Sequence, residues 1–361
     1  MPDHAVAIIG YGLAGRVFHA PLISATDGLR VAAIVTSDPA RRQQAQSDHP
    51  DAAILATADE LWARADEFTA VVVATPNASH APLATQAIDH GLAVVVDKPL
   101  ALSAAEATQL IDHAEQKRTP LTVFQNRRWD SDQLTLAKLL QQGALGTVQR
   151  YESRFERWRP QPRADAWRER IAPAQGGGLL LDLGSHLVDQ ALHRFGPVRS
   201  VYAEIANRRG TAADDDVFLA LTHGAGVISH LHASALTAAP GPRLRVLGSE
   251  AALLVRELDT QEDRLRAGQR PDTAPDWGEE PEHARPRLIA GERSVPLKPE
   301  RGAWQTFYAR FREVLGGHVH AGEVPAGQAS LPVDPRDAVE CLRVLEAARR
   351  SATERRLIAL A

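Results

Sequence analysis

The tightest constraint on the fold is six residues long. Gly10-Tyr11-Gly12-Leu13-Ala14-Gly15 follows the apolar run Ala5–Ile9 and opens an amphipathic run, Leu13–Ser24. A GxGxxG between a strand and a helix is the pattern of a dinucleotide-binding turn. Gly10 permits the tight turn, Gly12 lets backbone approach a pyrophosphate, and Gly15 lets helix and strand pack closely. The helix N-terminus then offers unpaired N–H groups to phosphate. A glycine turn without a ligand would explain this spacing poorly. Tyr11, Leu13 and Ala14, the variable positions of the fingerprint, are taken as cofactor contacts with the glycines.

The rest of the first ~125 residues repeats that alternation. Strands are expected at Ala5–Ile9, Arg30–Val35, Ala53–Leu55, Ala70–Ala74, Ala93–Val96 and Leu121–Phe124. Helices are expected at Leu13–Ser24, Ala40–Ser47, Asp59–Arg64, His80–His90 and Ala104–Lys117, with Ser103 and Glu106 forming a capping box. Short apolar runs alternating with amphipathic ones give βαβ units and a parallel sheet. After Gln125 the pattern changes. A helix over Asp132–Gln142 leads into strand-like runs at Val148–Arg157, Val201–Asn207, Val217–Leu221, Gly226–Ala233 and Leu244–Leu247, several alternating apolar and polar. The fold class is therefore α/β: an N-terminal doubly wound parallel sheet over 1–125, and an α+β domain over 126–361 built on a mostly antiparallel sheet. Gly268–Glu300 holds six prolines and no apolar period, and reads as a long loop or lid. Trp304–Leu315 and Pro335–Ser351 read as helices, the latter placed to pack back on the first domain.

Composition narrows the function. Net charge is −4, so no basic field attracts nucleic acid or anionic membrane. No segment reaches ~20 uninterrupted apolar residues. The start of the chain lacks a basic n-region, so a cytoplasmic protein is expected. The single cysteine, Cys341, excludes an intramolecular disulfide and reads as a small buried hydrophobe. His230 and His232 alternate on one strand without a third ligand at suitable spacing, so no metal site is expected.

Cofactor choice is set where the second strand ends. The chain there reads Thr36-Ser37-Asp38-Pro39-Ala40-Arg41-Arg42, with Ser37 22 residues past Gly15. A carboxylate at this point accepts from an adenosine 2′-hydroxyl and repels a 2′-phosphate. Ser37, with Arg41 and Arg42 behind it, favours NADP. Asp38 serves either as that acidic determinant, giving NAD, or as a helix N-cap.

Two segments offer chemistry. Lys98, in Val96-Asp97-Lys98-Pro99, leaves a strand at its carboxyl end, where ligands sit in open parallel sheets. A lysine there can steady a developing alkoxide; the alternative is a surface lysine before a turn proline. On a continuous helix over 177–189, Asp182, His186 and Asp189 share a polar stripe about 60° wide at ~100° per residue. A carboxylate one turn from a histidine orients it as a base; the alternative is an ordinary polar helix face. Trp158, Trp167 and Arg168 flank this segment as possible substrate contacts or packed aromatics.

Taken together and in order, these motifs resemble the Gfo/Idh/MocA oxidoreductase family. Phe18-His19-Ala20-Pro21-Leu22, Asn126-Arg127-Arg128-Trp129-Asp130 and Asp182-Leu183-Gly184-Ser185-His186 are similar to its NADP-dependent scyllo-inositol dehydrogenase subgroup. The resemblance implies catalytic roles for Lys98, Asp182 and His186. It also implies that Thr75, Pro76 and Asn77, with His80, line the cofactor cleft, that Lys98-Pro99 is cis, and that the chain forms a homo-oligomer, a dimer or tetramer. The family's usual Glu before the lysine is here Asp97. The expected activity is hydride transfer between a nicotinamide cofactor and a sugar or polyol hydroxyl. Asn126, Arg128 and Trp167 join the catalytic residues as substrate contacts, and Arg154, Arg157 and Asp189 are further hydroxyl readers. The alternatives are a non-catalytic dinucleotide-sensing regulator on the same fold, or an imine or enone reductase.

Overall fold

Fully buried valines and alanines, such as Val71, Val72, Val73, Val94, Val95 and Val96, form the centre of the first sheet. Strands covered on both faces need near-continuous apolar runs, and these provide them. The computed structural model describes residues 3–163, 166–317 and 330–360. Its first sheet comprises β1 (His4–Ile9), β2 (Leu29–Val35), β3 (Ala53–Leu55), β4 (Ala70–Val73), β5 (Ala93–Asp97) and β6 (Leu121–Phe124). The order is β3-β2-β1-β4-β5-β6, and every pair is parallel. The order in which the chain adds strands reverses between β1 and β4, so a crevice opens beyond their carboxyl ends. Gly10 follows β1 and Thr75 follows β4, which puts the glycine loop and the Thr75–Asn77 segment on its two sides.

The crossovers are α1 (Ala20–Ser24), preceded by a widened turn over Ala14–His19, then α2 (Pro39–Asp48), α3 (Ala58–Trp62), α4 (His80–Asp89) and α5 (Ala104–Lys117). Ser103 caps α5 by accepting from the Glu106 N–H, while the Glu106 carboxylate accepts from Leu102 N–H. The expected doubly wound parallel sheet is therefore present, with element ends shifted by a residue or two.

α6 (Ser131–Gln141) leads into the second sheet: β7 (Val148–Glu156), α7 (Trp167–Arg170), α8 (Ser185–Phe195), β8 (Val198–Ala206), β9 (Asp216–His223), β10 (Ile228–Ser234), β11 (Leu244–Gly248) and β12 (Ala252–Val255). α9 (Gln261–Arg266), the hairpin β13 (Arg287–Ala290) and β14 (Arg293–Pro296), α10 (Gln305–Gly317), α11 (Pro335–Glu354) and β15 (Ile358–Ala359) complete it. The order is β14-β13-β12-β11-β7-β10-β9-β8-β15. Pairing is antiparallel except between β7 and β10. The loop expected over Gly268–Glu300 is corrected in its second half. Residues 287–296 form the β13–β14 hairpin and extend the sheet edge, where β14 is exposed along its length.

One face of this sheet is covered by α8 and α11. α11 also packs on α5 and β6 of the first sheet. Thr122 Oγ1 donates to Val333 C=O at 2.7 Å, and the Ala104 N–H to Glu346 at 2.8 Å. Cys341 is buried on α11. Among the described residues, no helix is long and apolar enough to cross a membrane.

Candidate active site

At the glycine loop, sterics separate the glycines the fold needs from the one it does not. A Cβ on Gly10, whose φ is +101°, would lie 2.4 Å from Ala74 C=O oxygen, and one on Gly15 would lie 1.9 Å from Gly10 C=O oxygen. A Cβ on Gly12 would meet only Arg41 Nη1, at 3.8 Å. The fold leaves room at Gly12 that it does not use, on the side where a helix N-terminus offers its N–H groups. The loop therefore fits a dinucleotide pyrophosphate. Leu13, an apolar side chain, stands exposed on the same loop. Tyr11 is corrected as a side-chain contact: it is buried, and its hydroxyl donates to Asp48 at 2.8 Å, under α2.

At the β2 end, Asp38 takes up the N-cap role, one of the two open to it in the sequence. Asp38 caps α2 by accepting from the Arg41 N–H, and its other oxygen lies 3.8 Å from Arg41 Nε. Ser37 is exposed beside it, and Arg41 reaches back to the Gly12 loop. Arg42 is half-buried on the following turn.

Across the crevice, Asn77 is buried and donates to Gly176 C=O at 2.9 Å, linking β4's exit loop to the segment before α8. His80 is corrected as a cofactor contact. Its side chain is fully buried, with ring nitrogens 2.7 Å from Pro99 C=O and 2.9 Å from Thr75 C=O. It braces the loop that carries Thr75 and Pro76 against the one that carries Lys98. The Lys98–Pro99 peptide is cis. Asp97 accepts from Lys98 N–H at 2.9 Å and lies 3.9 Å from His19 Nε2.

Lys98 meets the second sheet's layer directly. Its Nζ donates to the Asp182 carboxylate at 2.8 Å and to Asp182 C=O at 2.7 Å. Arg168 Nε lies 3.2 Å from the same carboxylate, and its guanidinium stacks 4.5 Å from the Trp167 ring. Burial works against the Asp182 charge, but Lys98 and Arg168 outweigh it and hold the carboxyl well below its ordinary range.

His186 is buried one short segment further on, with the Phe155 ring edge-on at 6.3 Å. Burial, then Lys98 and Arg127, lower its pKa well below 6.5, against the opposing pull of Asp182. The imidazole is neutral at pH 7 and able to accept a proton. Its Nδ1 is enclosed, with no hydrogen-bond partner among the described residues. The expectation that Asp182 orients it by a hydrogen bond is corrected. Residues 180–184 form a widened turn with i→i+5 bonding before α8 begins. Asp182 lies within this turn, and its carboxylate meets Lys98 instead.

Two further assignments are corrected. Arg128 is not open to substrate: its guanidinium forms a fork on Asp189 at 2.9 and 2.5 Å and meets Asp337 of α11 at 2.9 Å, all behind α8. Asp189 is thereby excluded too. Asn126 is buried in the turn after β6. Arg127, which the sequence reading did not select, is the arginine of that pair beside the histidine. It lies over the Phe155 ring at 5.0 Å and donates to Glu262 at 2.7 Å. The doublet Arg127-Arg128 was the signal, but nothing in it tells which member turns inward.

Two family models match the chain. One, described as an oxidoreductase family with an NAD-binding Rossmann fold, spans residues 4–125, and the other, the GFO/IDH/MocA C-terminal domain, spans 134–254. The chain belongs to the Gfo/Idh/MocA family. It is 34% identical to the scyllo-inositol 2-dehydrogenase (NADP(+)) IolW of Bacillus subtilis, over 98% of this chain and 95% of that one. It is 36% identical to the uncharacterized oxidoreductase YdgJ of Escherichia coli, over 99% and 98%. The yvaA structure of Bacillus subtilis superposes with a TM-score of 0.89 at 32% identity, covering 99% of both chains. As a Gfo/Idh/MocA member with such relatives, the chain is an NAD(P)-dependent dehydrogenase, which removes the non-catalytic alternative.

Proposed function

We propose that this dehydrogenase oxidises, reversibly, a secondary hydroxyl of a sugar or cyclic polyol such as an inositol, with NADP preferred. The observation that carries the reading is the Lys98–Asp182 contact at 2.8 Å. It joins a strand end beside the glycine loop to the segment that presents His186, so three groups suited to alcohol chemistry line one cleft.

Oxidising a secondary alcohol requires removal of a hydride from carbon and a proton from oxygen. The nicotinamide ring, when bound, supplies the hydride acceptor. Neutral His186 accepts the hydroxyl proton. Lys98, already a donor to Asp182, holds the reacting oxygen and stabilises its alkoxide character. Asp182 fixes the position of the Lys98 Nζ, and its partly open carboxylate can accept from a neighbouring substrate hydroxyl. Gly10, Gly12 and Gly15 with Thr75, Pro76 and Asn77 flank the cofactor crevice.

The NADP preference rests on Asp38 being committed to the α2 cap while Arg41 faces the Gly12 loop. IolW, by its name, uses NADP on scyllo-inositol, which agrees with this reading. Purified protein offered NADP or NAD with a panel of inositols and sugars, read by nicotinamide absorbance, tests both parts. Faster reduction of NADP by a polyol is expected. A clear preference for NAD, or no reaction with any polyol, overturns the corresponding part.

A further inference from the structure

Phe155 and Arg157 lie two residues apart where β7 ends, so strand alternation sends their side chains to the same side. Phe155 is buried there between the guanidinium groups of Arg127, at 5.0 Å, and Arg243, at 4.3 Å, next to His186. Arg157 is less buried than Phe155, its N–H held by Ser234 C=O at 2.9 Å. Its half-buried guanidinium sits among Asp182, Glu262, Arg127 and Arg159. Among the described residues, that guanidinium makes no hydrogen bond and no ion pair.

The nearby carboxylates are already engaged. Glu262 accepts from Arg127 at 2.7 Å and from Arg266 at 2.8 Å. Asp182 faces both Lys98 and Arg168. Five cations, Lys98, Arg127, Arg157, Arg168 and Arg266, thus stand against three carboxylates, Asp182, Glu262 and the Asp130 paired with Arg127, and positive charge is in excess beside the proton-accepting histidine. Burial and the neighbouring Arg159 make the Arg157 charge harder to keep than in water. A neutral polyol offers such a group only weak acceptors. A planar guanidinium fork matches a carboxylate or a phosphate.

Resting on the alcohol-oxidation reading above, we propose that Arg157 recognises an anionic substituent on the substrate, so that among sugars and polyols those carrying a carboxylate or a phosphate are preferred over their neutral counterparts. The anion pairs with Arg157, with Arg168 alongside, while the oxidised hydroxyl lies between Lys98 and His186. Arg157 binds and orients; it takes no part in the bond changes.

The test uses the NADP-saturated enzyme with D-gluconate, D-glucuronate and D-glucose 6-phosphate, against D-glucose and scyllo-inositol as neutral references. An anionic compound should give the highest kcat/KM, and the carboxylate and phosphate arms identify which anion it is. Arg157→Gln should raise KM for that compound about 30-fold, with a much smaller change in kcat. Arg157→Lys should recover part of the loss. The neutral compounds should respond far less, and thermal denaturation controls for folding. Titration with NADP covers the remaining anion in the cleft: a variant weakened only toward cofactor overturns the proposal. So does a neutral compound preferred over every anionic one, or an Arg157→Gln effect equal on all substrates. Calorimetric titration of D-gluconate and D-glucose 6-phosphate into the same complex separates the two claims. Arg157-dependent binding without turnover of any compound sustains the anion site and removes the alcohol-oxidation reading. Absence of such binding removes the anion site alone.

Discussion

Gly12→Val should silence cofactor binding and leave stability nearly unchanged, whereas the same change at either neighbouring glycine should lower stability measurably. At Gly15 an added Cβ would sit 1.9 Å from a backbone oxygen, and at Gly10 2.4 Å from another with φ at +101°. Overlap with backbone that cannot move away costs ~1–3 kcal/mol, and the left-handed conformation at Gly10 adds ~1–2. At Gly12 the nearest atom is Arg41 Nη1 at 3.8 Å, an ordinary contact with the end of a flexible side chain. Stability of Gly12→Ala or Gly12→Val should stay within about 1 kcal/mol of wild type. The cost appears only when a pyrophosphate has to approach the loop. Thermal denaturation with and without NADP reads both effects. A ligand at a hundred times its Kd stabilises the native state by about 2.7 kcal/mol, and the Gly12→Val protein should lose nearly all of that shift. A Gly12→Val protein that melts like wild type and still gains the full NADP shift would refute the placement of the cofactor.

Three further outcomes follow from the same geometry. Arg41→Ala should weaken NADP by about 1–3 kcal/mol in a direct titration and leave NAD nearly unchanged, because only NADP brings a 2′-phosphate; equal weakening of both would deny that contact. Arg128→Ala should lower chemical-denaturation stability by about 3–5 kcal/mol, since it strands the buried Asp189 carboxylate; a loss below 1 kcal/mol would contradict the pairing. His19 is fully buried, and burial, partly opposed by Asp97, lowers its pKa to about 4. The unfolded chain takes up a proton near pH 6.5 that the fold refuses, so His19 contributes stability that is present above that pH and lost as pH falls toward 4. The swing is about 3 kcal/mol, and His19→Gln should flatten the stability–pH curve by that amount between those limits.

Local rules carried the first half of the chain because its strands are buried on both faces. Runs such as Ala70–Val73 and Ala93–Val96 have no polar interruption, and a GxGxxG between a strand and a helix points to one turn. The second sheet's strands were legible as strand-like runs, most clearly where burial alternates, as in β9 and β10; the parallel β7–β10 pair depends on chain routing, which periodicity does not encode. The β13–β14 hairpin was missed because it is short, polar and at an exposed edge, with prolines around it. In the candidate site, Lys98, Asp182 and His186 were visible as residue types at telling positions. Their mutual geometry was not. A uniform helix places Asp182 one turn below His186, whereas in the widened 180–184 turn its carboxylate meets Lys98 instead. The choice between Arg127 and Arg128 was also hidden, since it is made by Glu262 and Asp189, more than sixty residues away in the chain.

The central claim is that His186 takes the proton from a hydroxyl held by Lys98 while NADP is reduced. Steady-state reduction of NADP by wild type and by His186→Ala, with the best substrate of the panel and across pH, measures it most directly. A positioned general base contributes ~10²–10⁴-fold, so kcat should fall on that scale while NADP titration stays unchanged. Because burial and Lys98 keep the imidazole neutral, the acid limb of wild-type kcat/KM should lie below pH 6.5 and vanish in the variant. A fully active His186→Ala enzyme, or an acid limb that survives the substitution, would contradict the account.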